Sequence, residues 1–230
     1  MSRNVASLTR APRREKVETR PWSQEEVETF RLVAESHRLA PRFTIAYGLG
    51  LRRGEILGLR WSDVDFSKRL IHVRHTMQRL GAGAGRVFGP PKTQRSRRIV
   101  PMPVMVVRAL ERQRRQQAEE LRHVAGETNS YDLVFTTSIG TPLEPTNLRR
   151  DFDALIVKAG VRRIRFHDLR HTCASLLMAQ GVSPRVVMDM HGHSALSVTM
   201  DLYSHVMPSA LLDASRAIDM ALGTDEFEAS

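Results

Sequence analysis

Apolar side chains recur at helical spacing along most of the chain and alternate with polar side chains over one short stretch. Predicted helices cover residues 23–38, 41–48, 55–59, 104–124, 145–159, 167–180, 184–190, 195–206 and 209–221. The alternation over 69–77 predicts a strand, and shorter strands fit 86–88 and 97–100. The pattern therefore predicts an α+β fold that is mostly helical, with one small antiparallel three-stranded sheet in the first half of the chain.

Two of the predicted helices begin at clear start signals. Ser23 and Glu26 have the spacing of a capping box, in which each side chain accepts a hydrogen bond from the other residue's backbone N–H. Ser183 precedes Pro184, which combines a favourable N-cap with proline in the first turn. Residues 1–21, by contrast, are polar, basic and aperiodic. We expect a basic linker or arm there, followed by the folded part of the chain.

The composition is that of a globular protein. Of 230 residues, 41% are hydrophobic and 26% are charged, which excludes collagen-like, mucin-like and wholly disordered chains. No apolar run approaches the roughly 18 residues of a membrane helix, and the first residues lack the apolar stretch of a secretion signal. Cys173, the single cysteine, cannot form an intrachain disulfide, which is typical of a reducing compartment. We expect a soluble, cytoplasmic protein with no membrane partner.

The charge of the chain favours a polyanionic partner. Lys and Arg number 35 against 25 acidic residues, a formal net charge of +10. Basic residues outnumber acidic ones in residues 1–20, 92–122 and 149–170, whereas 213–230 contains five acidic residues and one arginine. Clustered cations gain affinity by releasing counterions from phosphates, so this distribution indicates a nucleic-acid-binding face and an acidic tail that avoids it. A generally basic protein with no such partner is the alternative.

Four segments combine residues that could carry chemistry. They are GLGLRRGEILGLRW at 48–61, PKTQRSRRIVP at 91–101, HDLRHT at 167–172, and HGHS at 191–194, with YSH following at 203–205. Each has an ordinary interpretation when taken alone, since most arginines are solvated or contact phosphates. His167 and His171 could be metal ligands on one helix face, but no HExxH pattern or cysteine cluster accompanies them. We therefore predict no metal site.

In this order and spacing, the segments resemble the catalytic domain of the tyrosine recombinases, the phage integrase family. The matching patterns are the GLRRGE turn, the PKTxxSxR hairpin, the HDLRHT helix, the GHS turn and a tyrosine followed by Ser-His. The resemblance covers residues 22–207 and implies a catalytic domain of the tyrosine recombinase and type IB topoisomerase fold. The arm at 1–21 precedes this domain, and a C-terminal helix with an acidic tail at 208–230 follows it.

The resemblance assigns a role to individual residues. The implied catalytic residues are Arg52, Lys92, His167, Arg170, His193 and Tyr203, with Tyr203 as the nucleophile. Glu55 matches the acidic position that supports the first arginine. Further residues of the same segments are predicted to contact DNA: Arg53, Thr93, Arg95, Arg97 and Arg98. The implied activity is that of a DNA strand transferase, which cleaves and rejoins duplex DNA through a 3′-phosphotyrosine intermediate without metal, ATP or any cofactor.

The chemistry explains why these residue types are needed. In-line attack on a phosphodiester concentrates negative charge on the non-bridging oxygens, where Arg52 and Arg170 can each donate bidentate hydrogen bonds. Tyr203 is a poor nucleophile unaided, because a tyrosine hydroxyl has a reference pKa of about 10. His167 is the candidate proton acceptor or orienting group. Lys92 is the candidate general acid for the leaving 5′-oxygen, and the remaining histidine of the set completes the contacts to the phosphate.

Two features depart from the family pattern. His191 stands where a leucine commonly precedes the Gly-His-Ser turn, which alters the packing there or adds a polar contact. The family's separate helical core-binding domain has no counterpart before the arm. We therefore expect an isolated catalytic domain, a truncated gene product, or a family member that works with one domain.

The resemblance also implies partners. Recombination in this family implies a homotetramer on two synapsed DNA sites, and a monomer in solution is compatible with it. Apolar residues of 209–221 lie at near-helical spacing, so we expect this helix to pack on a neighbouring protomer, with folding back onto its own domain as the alternative. Accessory DNA-bending or directionality proteins stay open as further partners.

Three other functions stay open at this point. The chain could be a truncated, non-recombining DNA-binding remnant of an integrase. A type IB topoisomerase would use the same residue set to relax supercoils without exchanging DNA partners. A metal-dependent nuclease is the third option, and sensitivity to a chelator would reveal it.

Overall fold

The computed structural model describes residues 20–79, 86–89, 97–126 and 128–192, and within them seven α-helices pack with two small antiparallel sheets. The helices are α1 (Gln24–Ala34), α2 (Ala40–Leu49), α3 (Arg53–Leu57), α4 (Val104–Leu121), α5 (Pro145–Ala159), α6 (Asp168–Ala179) and α7 (Pro184–His191). The strands are β1 (Val64–Asp65), β2 (Leu70–Val73), β3 (Thr76–Arg79), β4 (Arg86–Gly89) and β5 (Arg98–Pro101). The helices predicted over 195–206 and 209–221 lie outside this part of the chain. Among the described helices, none combines the length and the apolar character needed to cross a bilayer.

The strands confirm a small antiparallel three-stranded sheet but change its membership. β2 lies at its centre and pairs antiparallel with β1 on one side and with β5 on the other. β3 and β4 form a separate antiparallel pair. The prediction of one strand over 69–77 is therefore wrong, because this stretch divides between the two sheets, and the strand predicted at 86–88 belongs to the second sheet.

The break between β2 and β3 falls at Arg74 and His75, and both residues contact one buried carboxylate. His75 Nδ1 lies 2.9 Å from Asp63 Oδ2, and Arg74 Nε lies 3.3 Å from Asp63 Oδ1. β3 then runs close against α3, where a Cβ atom on Gly54 would lie 2.9 Å from the carbonyl oxygen of Met77. Residue alternation continues through such a break, so the sequence pattern alone does not reveal it.

The helices begin where their start signals predict. Ser23 Oγ accepts a hydrogen bond from the Glu26 backbone N–H at 3.2 Å, and Glu26 Oε2 accepts one from the Ser23 N–H at 2.9 Å. Ser183 Oγ accepts from the Val186 N–H at 3.4 Å at the start of α7. The helix ends are less accurate, since α1 and α4 stop about one turn before the predicted residue.

An aromatic cluster joins α1, α2, α5 and the segment before α6 at the centre of the core. Its members are the fully or almost fully buried Phe30, Phe43, Phe152 and Phe166. Neighbouring ring centroids in this cluster lie 5.5 to 6.3 Å apart. Burial of a phenylalanine side chain contributes roughly 1.5–3 kcal/mol, so this cluster is a main source of the stability that fixes the helices relative to one another.

Trp22 connects the start of the described chain to the start of α6. Its backbone N–H donates to Thr172 Oγ1 at 3.1 Å, and its indole Nε1 donates to the carbonyl oxygen of Arg162 at 2.7 Å. Thr172 Oγ1 in turn donates to the carbonyl oxygen of Asp168 at 3.1 Å. The end of α6 that carries the HDLRHT segment is thereby tied to the aromatic core.

Candidate active site

The turn after α2 presents Arg52 to the surface. Gly50 ends α2 in the left-handed region, at φ 63° and ψ 27°. A Cβ atom on Gly50 would lie 2.2 Å from Nε2 of His191, so the backbone conformation and the ring behind it both favour glycine. Arg52 then adopts an extended conformation as the N-cap of α3, and its side chain remains 36% exposed.

Glu55 is a buried carboxylate that binds two arginines. It accepts hydrogen bonds from the Arg52 backbone N–H at 2.8 Å and from Arg52 Nη1 at 2.9 Å. Arg98 donates to it through both terminal nitrogens, at 3.0 and 2.9 Å. Burial raises the pKa of Glu55, but the hydrogen bonds and charges of Arg98 and Arg52 outweigh that effect and lower it below its ordinary value. Glu55 is therefore ionised at neutral pH.

The start of α6 is fixed by Asp168. This buried carboxylate accepts from the backbone N–H of Arg165 and from its Nη2, both at 2.9 Å. The helix then carries Arg170 and Cys173 on its buried side. Burial raises the pKa of the Cys173 thiol to about 12, so the sulfur stays protonated and is not a candidate nucleophile.

His167 lies at the N-cap position of α6 and keeps an exposed surface. Its ring is perpendicular to that of His171, with centroids 5.5 Å apart. The loss of water around the ring, then the neighbouring His171 and Arg170, lower the pKa of His167 to about 4. The imidazole is therefore neutral at pH 7 and can accept a proton.

Arg170 is the most buried cation of the site, with 2% of its surface exposed. Its Nη1 donates to the carbonyl oxygen of Gly50 at 2.5 Å, and its Nη2 donates to the carbonyl oxygen of His191. Burial, then the positive charge of Arg52, lower the pKa of Arg170 to about 9, which leaves the guanidinium protonated at neutral pH.

The carboxyl end of α7 is where the arginines meet. Three consecutive carbonyl oxygens accept from three different guanidinium groups. Arg98 Nε donates to Met190 at 2.7 Å, Arg170 Nη2 donates to His191, and Arg52 Nη2 donates to Gly192 at 3.0 Å. These are carbonyls that a helix end leaves without an internal partner, and they lie at the negative end of the helix dipole. The helix end therefore gathers positive charge into one place.

The described residues account for part of the predicted site. The structure brings Arg52, Glu55, His167 and Arg170 close together, and their catalytic roles stay predictions. Arg53 and Arg97, two predicted DNA contacts, are exposed. Five predicted residues lie outside the described part of the chain, so they stay predictions: Lys92, Thr93, Arg95, His193 and Tyr203.

Arg98, which is predicted from the sequence to contact DNA, has a buried side chain. Its side chain is 7% exposed, and Glu55 and the carbonyl of Met190 bind all three of its guanidinium nitrogens. A signal for this burial was present in the sequence, because Arg98 lies two residues from Val100 on a strand and so shares its face. Val100 is fully buried, whereas Ile99 between them is exposed.

The site offers hydrogen-bond donors rather than metal ligands. Within the described ranges, no group of three or more His, Cys, Asp or Glu side chains could hold a metal ion. His167 and His171 are close together, but no carboxylate or thiol completes a ligand set with them in that part of the chain. What the arrangement can do chemically is bind an anion with fixed guanidinium groups next to a neutral imidazole.

The chain matches the model of a known protein family. A family model described as the phage integrase family matches residues 23–209, a range that contains Arg52, Arg98 and Arg170, the arginine cluster at the end of α7. The chain belongs to the phage integrase family. Its fold is accordingly that of tyrosine recombinase catalytic domains, as the solved structures of similar fold also show.

Individual relatives of this integrase family member are longer than the chain. A tyrosine recombinase XerC-like protein of Caldanaerobacter subterraneus subsp. tengcongensis is 34% identical over 218 residues, which cover 89% of this chain and 56% of the relative. An integrase of Saccharopolyspora erythraea is 29% identical over 266 residues, covering 94% and 60% respectively. The chain therefore spans less than two thirds of the length of either relative.

A solved structure of similar fold is the Tn1549 transposon integrase in complex with circular intermediate DNA. It is 25% identical, with a TM-score of 0.75, and the match covers 86% of this chain and 67% of that one.

Proposed function

We propose that this chain is a site-specific DNA recombinase that cleaves and rejoins duplex DNA through a 3′-phosphotyrosine intermediate, with no need for metal or ATP. The observation that carries the proposal is the pair of guanidinium groups on adjacent carbonyls, Arg52 on Gly192 and Arg170 on His191. Phosphoryl transfer without a metal needs fixed cations of this kind, because negative charge develops on the non-bridging oxygens.

The two arginines would act on the phosphate in different ways. Arg52 is the more exposed and can donate directly to a non-bridging oxygen. Arg170 lies behind it, held by two backbone carbonyls, and adds a second positive charge in a site of low water content. Because both groups are held before the substrate arrives, little reorganisation is needed when charge develops in the transition state.

The covalent step conserves the energy of the broken bond. The Tyr203 hydroxyl oxygen attacks the phosphorus, the bond from phosphorus to the 5′-oxygen breaks, and a 3′-phosphotyrosine forms. His167 is neutral at pH 7 and is the candidate acceptor for the tyrosine proton. Lys92 would supply the proton to the 5′-oxygen, and His193 would donate to the phosphate. Attack by a 5′-hydroxyl then reverses these bonds and releases Tyr203.

Duplex DNA is the proposed substrate and partner. The Tn1549 transposon integrase, which shares the fold, was solved bound to a circular DNA intermediate, and the net charge of +10 fits a polyanionic partner. Strand exchange would require a homotetramer on two synapsed sites, with residues 209–221 packing on a neighbouring protomer. The proposed domain division is an arm at 1–21, a catalytic domain at 22–207, and a C-terminal helix with an acidic tail at 208–230.

Trapping on a nicked duplex tests the covalent step. A nick placed beside the scissile phosphate lets the cleaved fragment diffuse away, so the protein–DNA adduct accumulates and is seen on a denaturing gel. Because the target site is unknown, the duplexes carry randomised sequence, and trapped DNA is sequenced. The chain is tested in EDTA beside Tyr203→Phe, with Tyr131→Phe as the control for an exposed tyrosine.

We expect an adduct that forms in EDTA, is retained in Tyr131→Phe and is lost in Tyr203→Phe. An adduct that needs a divalent cation, or that persists in Tyr203→Phe, contradicts the mechanism. DNA binding without any adduct indicates a non-recombining DNA-binding remnant. Supercoil relaxation without joining of two different duplexes indicates the type IB topoisomerase-like activity.

A further inference from the structure

We infer that Arg98 is a positioning residue of the active site, which holds Arg52 in place through Glu55 and through the carboxyl end of α7, and that it does not contact DNA. Because this role concerns the cleavage reaction, it rests on the proposed function. The side chain is 7% exposed, so a DNA phosphate cannot reach the guanidinium without displacing its present partners.

Arg98 joins two elements that also hold Arg52. Its terminal nitrogens bind Glu55 of α3 at 3.0 and 2.9 Å, and its Nε binds the carbonyl of Met190 at the end of α7 at 2.7 Å. Arg52 binds the same Glu55 Oε1 at 2.9 Å and the carbonyl of Gly192 at 3.0 Å. The contacts therefore form a closed ring from Arg98 to Glu55, to Arg52, to the end of α7 and back.

The sheet holds the backbone of Arg98, the residue from which this ring of contacts begins. Arg98 pairs with Val73 in the antiparallel register of β5 and β2, so its backbone is fixed independently of the active site. The charge balance also requires it, because Glu55 is buried between two cations. Without Arg98, Glu55 loses one of the two arginines bound to it, and the end of α7 loses the donor to Met190. Either change lets Arg52 move relative to the phosphate.

Arginine is the residue type that this role needs. A planar guanidinium can place two donors on a carboxylate and a third on a carbonyl in another direction, whereas a lysine ammonium is a compact charge on a flexible stem. Arg98→Lys therefore keeps the charge but cannot hold both elements in the same geometry. The neighbouring Arg97 is exposed and has the accessibility of a DNA contact.

The chain contains a matched control that shares no partner with the arginine cluster. Arg38 donates through Nε and Nη2 to the Glu120 carboxylate and through Nη1 to the carbonyl of Thr136 at 3.0 Å. This is the same arrangement of a bidentate carboxylate and one backbone carbonyl. Arg38→Met therefore removes an equivalent set of contacts without touching the arginine cluster.

A measurement that needs no catalysis is the position of Arg52 in crystal structures of Arg98→Met and Arg38→Met. We expect Arg52 to lose its contact with Glu55 or with Gly192 in the first variant, with a shift of about 1 Å, and to keep both in the second. If Arg98→Met does not fold, Arg98→Lys is used for the same comparison. An unchanged Arg52 in the Arg98 variant overturns the inference.

A second measurement compares single-turnover cleavage of two nicked duplexes at saturating protein. One has an ordinary scissile phosphodiester, and the other has a methylphosphonate, which carries no negative charge at that position. For Arg98→Met we expect a loss of about 100-fold on the phosphodiester and a loss about tenfold smaller on the methylphosphonate, because a displaced Arg52 matters mainly for the charged oxygen. Arg98→Lys should fall between wild type and Arg98→Met. Arg38→Met should change both rates by the same factor.

The outcomes separate this role from the proposed function. Equal losses on the two duplexes for Arg98→Met overturn the positioning role. A weaker salt dependence of DNA affinity in that variant also overturns it, because that result identifies a direct phosphate contact. If the wild-type chain cleaves neither duplex, the proposed function fails, and the position of Arg52 in the crystal structures still decides the role of Arg98.

Discussion

The ring of His191 lies directly behind Gly50, and a Cβ atom added to Gly50 would lie 2.2 Å from Nε2 of that ring. The two residues also supply two backbone acceptors of Arg170, since the carbonyl of Gly50 binds Nη1 at 2.5 Å and the carbonyl of His191 binds Nη2. His191 occupies the position where the family pattern commonly has leucine, and the ring fills this space as a fully buried side chain. The contact between Gly50 and His191 therefore helps to fix the position of the Arg170 side chain.

Gly50→Ala should destabilise the chain more than Gly160→Ala. Both glycines are left-handed, with φ of 63° and 65°, so each alanine costs about 1–2 kcal/mol in backbone strain. Among the described residues, none beyond the chain neighbours of Gly160 has an atom within 4 Å of the added Cβ, whereas at Gly50 the Cβ meets His191. We expect an additional loss of about 1–3 kcal/mol at Gly50 from this overpacking, measured by urea unfolding.

The same experiment contains its own control. In a His191→Ala background the overpacking term disappears, so Gly50→Ala should then cost about as much as Gly160→Ala. Equal losses for the two glycine variants in the wild-type background would contradict the close contact between Gly50 and His191.

Glu55→Gln should lower the free energy of unfolding and make it less dependent on pH in the acidic range. The pKa of Glu55 is lower in the folded chain than its ordinary value of 4.5, so the unfolded state binds the proton more readily. The stabilisation is therefore complete above about pH 4.5 and is lost as the pH falls through the folded pKa. Removing the charge leaves Arg98 and Arg52 without their carboxylate, and we expect a loss of about 3 kcal/mol at pH 7.

Urea unfolding at a series of pH values from neutral to acidic measures both effects. The wild-type free energy of unfolding should fall more steeply than that of Glu55→Gln below the ordinary pKa of the carboxyl. Parallel curves for the two proteins would show that Glu55 has no lowered pKa in the folded chain.

The sequence predicts which side chains gather at the site better than it predicts what holds them. Arg52, Glu55, His167 and Arg170 belong to two short motifs whose residue types and spacing are visible in the sequence, and the structure brings them together. The acceptors at the end of α7 are backbone carbonyls. Every residue has such a group, so nothing in the sequence distinguishes Met190 as a partner of an arginine.

The fold shows the same division between local and distant causes. The capping box of Ser23 and Glu26 is a local interaction and starts α1 as predicted. The break between β2 and β3 lies where Arg74 and His75 contact Asp63. Asp63 lies outside the stretch 69–77, so the alternation within that stretch gives no sign of the break. Helix starts could therefore be predicted from the sequence, whereas the division of 69–77 between two sheets could not.

His167 should titrate well below the ordinary histidine pKa of 6.5. Its pKa is lowered to about 4 by loss of water around the ring, then by His171 and Arg170. From about pH 4 to 6.5 the unfolded chain binds a proton at this residue that the folded chain does not, so the contribution of His167 makes stability rise with pH over that window. An NMR titration of the DNA-free protein, assigned with His167→Gln, measures the midpoint.

Removal of a neighbouring ring provides the control for this titration. His171→Gln should raise the midpoint of His167, because His171 lowers its pKa in the wild-type chain. A wild-type midpoint at or above 6.5 would contradict the lowered pKa of His167. A midpoint above pH 7 would leave the ring mostly protonated at neutral pH and would remove it as the candidate acceptor for the tyrosine proton.

Asp151→Ala should destabilise the chain far more than Arg42→Met, although the two residues form one ion pair. Arg42 is fully buried, its Nη2 lies 2.5 Å from Asp151 Oδ2, and its Nε and Nη1 make no hydrogen bond to any described atom. The Asp151 side chain is 21% exposed and also lies 3.9 Å from His37. Loss of the carboxylate leaves a buried cation without compensation and should cost about 3–5 kcal/mol. Loss of the arginine leaves a carboxylate that water can reach, and methionine can fill the space against Phe43, so we expect a change within about 1 kcal/mol.

Urea unfolding of the two single variants and of the double variant measures this asymmetry. The double variant should be close to Arg42→Met, and a larger loss for Arg42→Met than for Asp151→Ala would show that the guanidinium is not the costly member of the pair.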